Sequence, residues 1–391
     1  MIVIPDVFAR QTVEREGDAG AAWLAELPGI VDELLARWEC APDGEVMHGG
    51  VGVIVPVRRP GGEAAVLKVS FPHPGNVHEP DAFAAWGGRG AVLLHERDDG
   101  RFAMLLERAW SSLRVVEDDD EVIRIAGRIA RRLAVPAPPG LPRLSDRADA
   151  WEEQLAEDAR SLPHGLGRRA LDAAVATVHE LGRVQPDTLV HGDLHPGNIL
   201  RGDREPWLAV DPKGCVGDPA FDAGALLKAR VPAFLLAGDL GKAVDRAMDV
   251  FAEAAELDRE RVRRWAVLHA VRGVFWARRH GFRVARGGPE LERIIGVAEQ
   301  LAELLAAGSP LGRPAGQGQR AAAEDGADGE GAARVADGAD GEDLVEEHLL
   351  VGGEVGHGHL DEEVGLAGDD VAGDDGRDGG ERRLDRPGRL A

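Results

Sequence analysis

Residues 191–200 read H-G-D-L-H-P-G-N-I-L, and residues 208–218 read L-A-V-D-P-K-G-C-V-G-D. The first stretch places Asp193 five positions before Asn198, in a loop whose shape is restricted by two glycines and a proline. The second stretch places Asp211 directly after a short apolar run, which predicts a strand. A hairpin between the two stretches brings these three polar side chains to one end of the hairpin. The interpretation of the whole chain depends on this cluster.

The three side chains meet the needs of phosphoryl transfer to a hydroxyl group. Kinase-type enzymes combine an aspartate, an asparagine five positions later and a second aspartate after a hairpin. We therefore predict that Asp193 is catalytic and accepts the proton of the substrate hydroxyl or orients its oxygen. We predict that Asn198 and Asp211 hold Mg²⁺, which prefers hard oxygen ligands and takes few of them from a protein. The predicted cofactors are ATP and Mg²⁺.

With the two segments in place, the chain resembles the aminoglycoside phosphotransferase superfamily. The motifs that carry the resemblance are H-G-D-L-H-P-G-N, D-P-K-G and G-D-P-A-F-D. The stretches at 85–92, 106–108 and 204–212 make the chain similar, more narrowly, to the streptomycin 6-kinase and hydroxyurea phosphotransferase family. The resemblance runs from about residue 20 to residue 307. It implies an α+β, protein-kinase-like fold with a small β-rich N-lobe and a helical C-lobe.

The resemblance also implies how the nucleotide phosphates are bound. Lys68, in A-V-L-K-V on a predicted strand, matches the lysine that contacts the phosphates of ATP. Glu79, on the following short helix, matches the ion-pair partner of that lysine. The segment H-G-G-V-G at 48–52 lies where the family has its phosphate-covering turn, although it departs from a full glycine-rich loop.

Further site residues follow from the same resemblance. The hinge that holds adenine falls on residues 105–108, which makes Leu106 and Glu107 cofactor-binding candidates. Asp222 matches an aspartate that braces the catalytic loop by accepting its backbone N–H groups. We expect His191 to shape the same loop through hydrogen bonds rather than to bind a metal, because Asp and Asn already supply ligands that suit Mg²⁺.

Upstream of the catalytic stretch, hydrophobic patterns predict a mixed layer of strands and helices. Apolar residues at helical spacing predict a helix over 21–39, which Pro28 is expected to break in two. β-Branched runs at 51–57 and 64–69 flank the turn signal Pro60-Gly61-Gly62 and predict a β-hairpin. The remaining elements of this layer are a short helix and two strands, predicted over 77–86, 91–96 and 102–107.

Downstream of residue 115 the pattern becomes helical. Helices are predicted over 118–133, 151–161, 169–181 and much of 219–307. We therefore divide the chain into an N-lobe for the nucleotide (1–108), a C-lobe for catalysis and substrate (109–308) and an acidic, glycine-rich tail (309–391). The tail is predicted to be disordered, because its composition buries too little apolar surface to offset the entropy lost on ordering.

Composition limits the partners of the protein. The net charge is −23 and there is no basic stripe, which argues against a nucleic-acid partner. The two cysteines form no disulfide framework, and no apolar run is long enough to span a membrane. We expect a cytoplasmic protein, a monomer, whose partner is a small molecule with a hydroxyl group.

The acceptor stays open between several compounds. Streptomycin carries guanidinium groups and needs carboxylates, for which Asp218, Glu253 and Glu256 are candidates. We rank the small, neutral hydroxyurea slightly ahead, because several basic side chains oppose a polycation if they face the cleft: Lys213, Arg263, Arg264, Arg272, Arg278 and Arg279. Remaining alternatives are a metabolic small-molecule kinase and a nucleotide-binding scaffold without activity.

Overall fold

A computed structural model describes residues 2–236, 238–281 and 287–308. The predicted disordered tail, residues 309–391, lies outside the described residues. Within them, no helix combines the length and the apolar character needed to cross a bilayer.

The N-terminal lobe is built on a six-stranded antiparallel sheet in the order β1-β3-β4-β6-β5, with β2 paired to β3. The predicted hairpin is confirmed, since Arg58 pairs with Ala64 across the glycine turn. Lys68 lies on β4, opposite Met104 of β6. The strand bounds are β1 (Ala41–Pro42), β2 (Met47–His48), β3 (Gly52–Arg58), β4 (Ala64–Ser70), β5 (Leu94–Asp98) and β6 (Ala103–Glu107).

A long first helix, α1 (Asp6–Arg37), covers one face of this sheet. The predicted break at Pro28 is wrong, because the helix continues through this proline. Its buried face runs across Pro28, with Leu27 before and Val31 after it in the same hydrophobic cluster as the sheet, so packing outweighs the one missing hydrogen bond. The kink lies instead at Gly17, whose φ of 60° is accessible to glycine.

The second helix, α2 (Glu79–Trp86), is the predicted short helix and links the two lobes. Trp86 at its end is buried in the core of the C-terminal lobe, where its Nε1 donates to the carbonyl of Leu133 at 2.9 Å. Glu79 at its start is buried beneath the sheet. The helix therefore places an acidic side chain under β4 while its other end is held by the C-terminal lobe.

The C-terminal lobe is mainly helical, as predicted, and its core holds most of the large buried aromatic side chains. Its helices are α3 (Asp119–Leu133), α4 (Ala148–Ser161), α5 (Arg168–Thr177), α6 (Asp222–Ala229), α7 (Val231–Leu236), α8 (Leu240–Ala255), α9 (Arg259–His280) and α10 (Gly288–Ala307). The expected two-lobed, protein-kinase-like α+β fold is thereby confirmed.

Two small sheets in this lobe carry the decisive sequence segments. A three-stranded sheet contains β7 (Val135–Pro136), β8 (Thr188–Val190) and β11 (Cys215–Val216) in the order β11-β8-β7, while β9 (Ile199–Leu200) and β10 (Leu208–Ala209) form an antiparallel hairpin. The loop 191–198 runs from β8 to β9, and the loop 210–214 runs from β10 to β11. Both loops therefore connect the same two sheets, and because β8 pairs with β11 and β9 pairs with β10, the loops lie next to each other.

Candidate active site

Asp193 lies in the loop after β8 and is 1% exposed. The Nδ2 group of Asn198 donates to the Asp193 carbonyl at 3.0 Å and lies 3.4 Å from its Oδ2. Over the described parts of the chain, Asp193 Oδ1 finds no hydrogen-bond partner although it is buried. Burial raises the pKa of this carboxyl to about 7, while Lys213 opposes the rise. An unpartnered carboxylate oxygen with this pKa suits a group that receives a proton from a ligand.

The loop that contains Asp193 is held by Asp222, at the start of α6. Its carboxylate accepts the backbone N–H groups of His191, at 3.1 Å, and of Gly192, at 2.7 Å. The ring of His191 is buried, contacts the Val210 carbonyl at 2.9 Å and accepts the Asp193 N–H at 3.2 Å. Burial lowers the pKa of His191 to about 4, so the ring is neutral at pH 7 and can accept that N–H.

Asp211 follows β10 and adopts a φ of 59°, a left-handed conformation that costs a non-glycine residue about 1–2 kcal/mol. The preceding residue, Val210, is held next to Asn198, because its N–H donates to the Asn198 carbonyl at 2.9 Å. Asn198 and Asp211 therefore lie at the same end of the β9–β10 hairpin. Strained residues held by surrounding structure are typical of functional sites.

Lys68 joins the two lobes at this point. Its Nζ lies 2.7 and 2.8 Å from the two carboxylate oxygens of Glu79 and 2.6 Å from Asp211 Oδ1. Burial acts to lower the pKa of Lys68, but the two carboxylates together raise it, so the ammonium is charged. One buried cation thus fixes the position of α2 relative to the loop of Asp211.

The arrangement fits a magnesium–nucleotide complex by its donor chemistry. Because Nδ2 of Asn198 is used as a donor, its amide oxygen is the group left to act as a ligand, beside the Asp211 carboxylate. No cluster of three or more His, Cys, Asp or Glu side chains suited to a metal occurs in residues 2–236, 238–281 and 287–308. An amide oxygen and a carboxylate are ligands that suit Mg²⁺, which takes one or two protein ligands and completes its shell with phosphate and water oxygens.

The hinge candidates are placed at the edge of the same region. Leu106 is buried on β6. The carboxylate of Glu107 accepts from Arg204 Nη2 at 2.8 Å and from Leu93 N–H at 3.0 Å, so this side chain is engaged by protein groups. The prediction that Leu106 and Glu107 hold adenine is untested, and with these side chains occupied it refers to their backbone N–H and C=O groups. The segment 48–52 forms a tight turn between β2 and β3, closed by Gly49 N–H donating to the Gly52 carbonyl at 2.9 Å.

The sequence reasoning missed the roles of three residues. Arg204 ties the β9–β10 hairpin to the end of β6, through Glu107 and the Ala91 carbonyl. Lys213 is half-buried, with Nζ 3.5 Å from Asp211 Oδ2 and its backbone N–H donating to the His191 carbonyl at 2.7 Å. Gly214 has a φ of 62° and passes against α2. Only the scarcity of lysine, four in the chain, was a signal for Lys213.

Substitution of Gly214 by alanine is expected to lower the free energy of unfolding by about 1–3 kcal/mol and to reduce turnover. A Cβ atom there meets the His78 carbonyl oxygen at 2.5 Å, immediately before Glu79 on α2, and the positive φ adds strain. Urea unfolding and steady-state kinetics measure the two effects. Gly62→Ala is the matched control, with a positive φ and no atom within 4 Å. Equal effects of the two variants would show that the contact with α2 is unimportant.

The chain is similar to known proteins over most of its described length. The model of the aminoglycoside/hydroxyurea antibiotic resistance kinase family matches residues 37–281. The chain is 37% identical over 279 residues to streptomycin 6-kinase of Streptomyces glaucescens, covering 71% of this chain and 91% of the relative. It is 38% identical over 307 residues to hydroxyurea phosphotransferase of Kitasatospora aureofaciens, covering 77% of this chain and 86% of the relative.

Proposed function

Because the chain belongs to the aminoglycoside/hydroxyurea antibiotic resistance kinase family, we propose that it transfers the γ-phosphoryl group of ATP to a hydroxyl group of a small antibiotic. The membership makes it a phosphotransferase with an alcohol group as acceptor. The observation that carries the assignment of roles is the buried Oδ1 of Asp193, which has no hydrogen-bond partner among the residues that the structure describes, together with the Lys68–Asp211 ion pair.

Each group in the site has one task in this proposal. Asp193 takes the proton of the acceptor hydroxyl and aligns its oxygen, and Asn198 holds Asp193 in place while its amide oxygen serves as a metal ligand with Asp211. Lys68 binds the nucleotide phosphates. Mg²⁺, when bound with ATP, neutralises charge on the phosphates during transfer. Asp222 keeps the catalytic loop rigid through two backbone N–H groups.

The acceptor is best supported as a small neutral compound, with hydroxyurea ranked before streptomycin. The carboxylates that could bind a guanidinium group are paired with other protein groups or exposed on the surface. Asp218 is 2% exposed and accepts from Arg261 and from Trp265 Nε1, and Glu256 is exposed and paired with Arg131. Glu253 is exposed on α8. These contacts leave no acidic pocket formed by the three candidates.

The positive charge near Asp193 comes from lysines rather than from the arginines of α9. Most of those arginines are bound by carboxylates: Arg263 by Glu260, Arg264 by Glu180, Arg278 by Glu292 and Arg279 by Asp158. They therefore add little repulsion toward a polycation. Lys213 and Lys228 do act electrostatically on Asp193, and both lower its pKa against the effect of burial. A cationic acceptor meets these two charges close to the base.

We expect hydroxyurea to be phosphorylated with a kcat/KM at least about tenfold above that for streptomycin. A difference of this size needs only about 1.4 kcal/mol of unfavourable charge interaction. Lys228→Gln is expected to raise the value for streptomycin roughly fivefold, because it removes one of the two charges near the base. Lys242→Gln, at an exposed position of α8, is the matched control. ADP release and ³¹P NMR of the product measure transfer.

The outcomes of this comparison separate the alternatives. Turnover of streptomycin but not of hydroxyurea would reverse the ranking, and transfer to a metabolite alone would favour a metabolic kinase. ATP hydrolysis with every acceptor unmodified would favour a scaffold or ATPase. Cytoplasmic location, the monomeric state and the lobe boundary at residue 108 stay predictions.

A further inference from the structure

The first half of α1 lies against the turn between β2 and β3. Phe8 packs on His48 with ring centroids 5.5 Å apart, and Arg15 Nη1 donates to the Gly50 carbonyl at 3.0 Å. After the kink at Gly17, Trp23 packs edge-on against Phe71, which follows β4. The three residues that α1 contributes to these contacts, Phe8, Arg15 and Trp23, precede residue 37, where the match to the family model begins. An element outside that match therefore supports the turn proposed to cover the phosphates.

Arg15 is the residue of α1 whose side chain is hydrogen-bonded to the turn 48–52. Its side chain is 17% exposed, its Nε pairs with Glu16 at 2.6 Å, and its Nη1 is used by Gly50. Its Nη2 is buried and, as far as the described ranges extend, has no hydrogen-bond partner. A guanidinium group presents its donors in a rigid fork, so the unpaired donor projects beside the one that holds the turn. Buried donors in proteins are normally hydrogen-bonded, so this N–H group is expected to have an acceptor, such as a ligand oxygen.

The neighbourhood of Arg15 continues into the active site through His73. This ring is buried and lies after β4, where its Nδ1 accepts the Gly75 N–H at 2.9 Å. Burial lowers its pKa, and the charged groups that act on it belong to two elements: Lys213 and Asp211 to the loop after β10, and Arg15 and Glu16 to α1. One buried ring thus lies within electrostatic range of Arg15 and of the loop that holds Asp211 and Lys213.

We propose that Arg15 is a nucleotide-binding residue, whose Nη2 donates to a phosphate oxygen of ATP while Nη1 keeps the turn 48–52 in place. The inference rests on the proposed function, because it takes ATP as the ligand. Its chemical basis is the charge-assisted hydrogen bond of a guanidinium group with a phosphate oxygen, which is stronger than a neutral hydrogen bond. In this proposal Arg15 and Lys68 bind the triphosphate from the N-terminal lobe, and the loop of Asp211 binds it from the C-terminal lobe.

The test is the affinity of the full chain for Mg-ATP and for adenosine, measured by titration calorimetry. Arg15→Met is expected to weaken ATP binding about tenfold or more and to leave adenosine binding unchanged. Arg10→Met is the matched control, because Arg10 is exposed on the same helix and carries the same charge. Arg15→Lys keeps the charge and serves as a second variant if Arg15→Met is unstable. Its ATP affinity is expected to lie between that of the wild type and that of Arg15→Met.

The salt dependence of binding separates a phosphate contact from mere support of the turn. A direct contact makes the fall of ATP affinity with potassium chloride shallower in Arg15→Met than in the wild type, whereas a role limited to the neutral Gly50 carbonyl leaves the slope unchanged. The proposal is overturned by an unchanged slope or by wild-type ATP affinity in both Arg15 variants. A wild-type chain that binds no Mg-ATP would overturn the proposed function as well.

Discussion

Replacement of Asp193 by asparagine is expected to lower kcat for phosphoryl transfer by about 10²–10⁴-fold, the contribution usual for a positioned base. Asparagine has the same shape but cannot take the proton of the acceptor hydroxyl. The affinity for Mg-ATP is expected to change little, because the phosphates are assigned to Lys68 and the loop of Asp211. Steady-state kinetics with the preferred acceptor and calorimetric titration of ATP give the two quantities.

The stability of the Asp193→Asn variant shows whether its lower kcat comes from the missing base or from unfolding. Asp193 has a pKa raised by burial, so its charged form is disfavoured in the folded state, and stability from this group falls as pH rises from about 4 through 7. Removing the charge is therefore expected to leave the free energy of unfolding at pH 8 unchanged or higher. Asp203→Asn, on the exposed turn of the β9–β10 hairpin, is the control. Wild-type kcat in the Asp193 variant would remove this residue from its role.

The same pKa gives the pH dependence of the wild-type enzyme. The base acts when it is deprotonated, so kcat/KM is expected to fall about tenfold per pH unit below a value near 7 and to be level above it. A flat profile between pH 5 and 8 would contradict the assignment of the base.

The part of the site that could be predicted from sequence is the part whose chemistry is local. Asp193 and Asn198 are five residues apart and share one hydrogen-bonded turn, so spacing alone places them together. The contact of Lys68 with Asp211 joins residues 143 positions apart. Spacing says nothing about such a contact, and Lys68 could be assigned only through its match to a family motif.

Features that depend on packing between distant segments could not be predicted. The importance of Gly214 becomes visible only when α2 lies against it, and that of Arg15 only when α1 lies on the turn 48–52. The fold shows the same limit at Pro28, where a local rule predicts a break and burial of Leu27 and Val31 against the sheet overrides it. Local rules thus predicted most of the elements, and tertiary packing decided that one of them stays continuous through a proline.

Replacement of Lys68 by methionine is expected to have two separable effects. It leaves the carboxylates of Glu79 and Asp211 facing each other without their shared cation, and breaking such a buried arrangement costs about 3–5 kcal/mol of unfolding free energy. It also removes the phosphate-binding ammonium, so kcat/KM for ATP is expected to fall roughly 10²–10³-fold. Urea unfolding of the full chain and kinetics at saturating acceptor give the two numbers.

A double variant separates stability from catalysis. Lys68→Met combined with Glu79→Gln removes one of the two facing negative charges, so it is expected to recover at least about 1 kcal/mol of stability relative to Lys68→Met alone. It restores no cation, and kcat/KM is therefore expected to stay as low as in the single variant. Lys242→Met, exposed on α8, controls for loss of a lysine elsewhere. If activity returned together with stability, Lys68 would act by holding α2 against the Asp211 loop, and its direct contact with the phosphates would have to be abandoned.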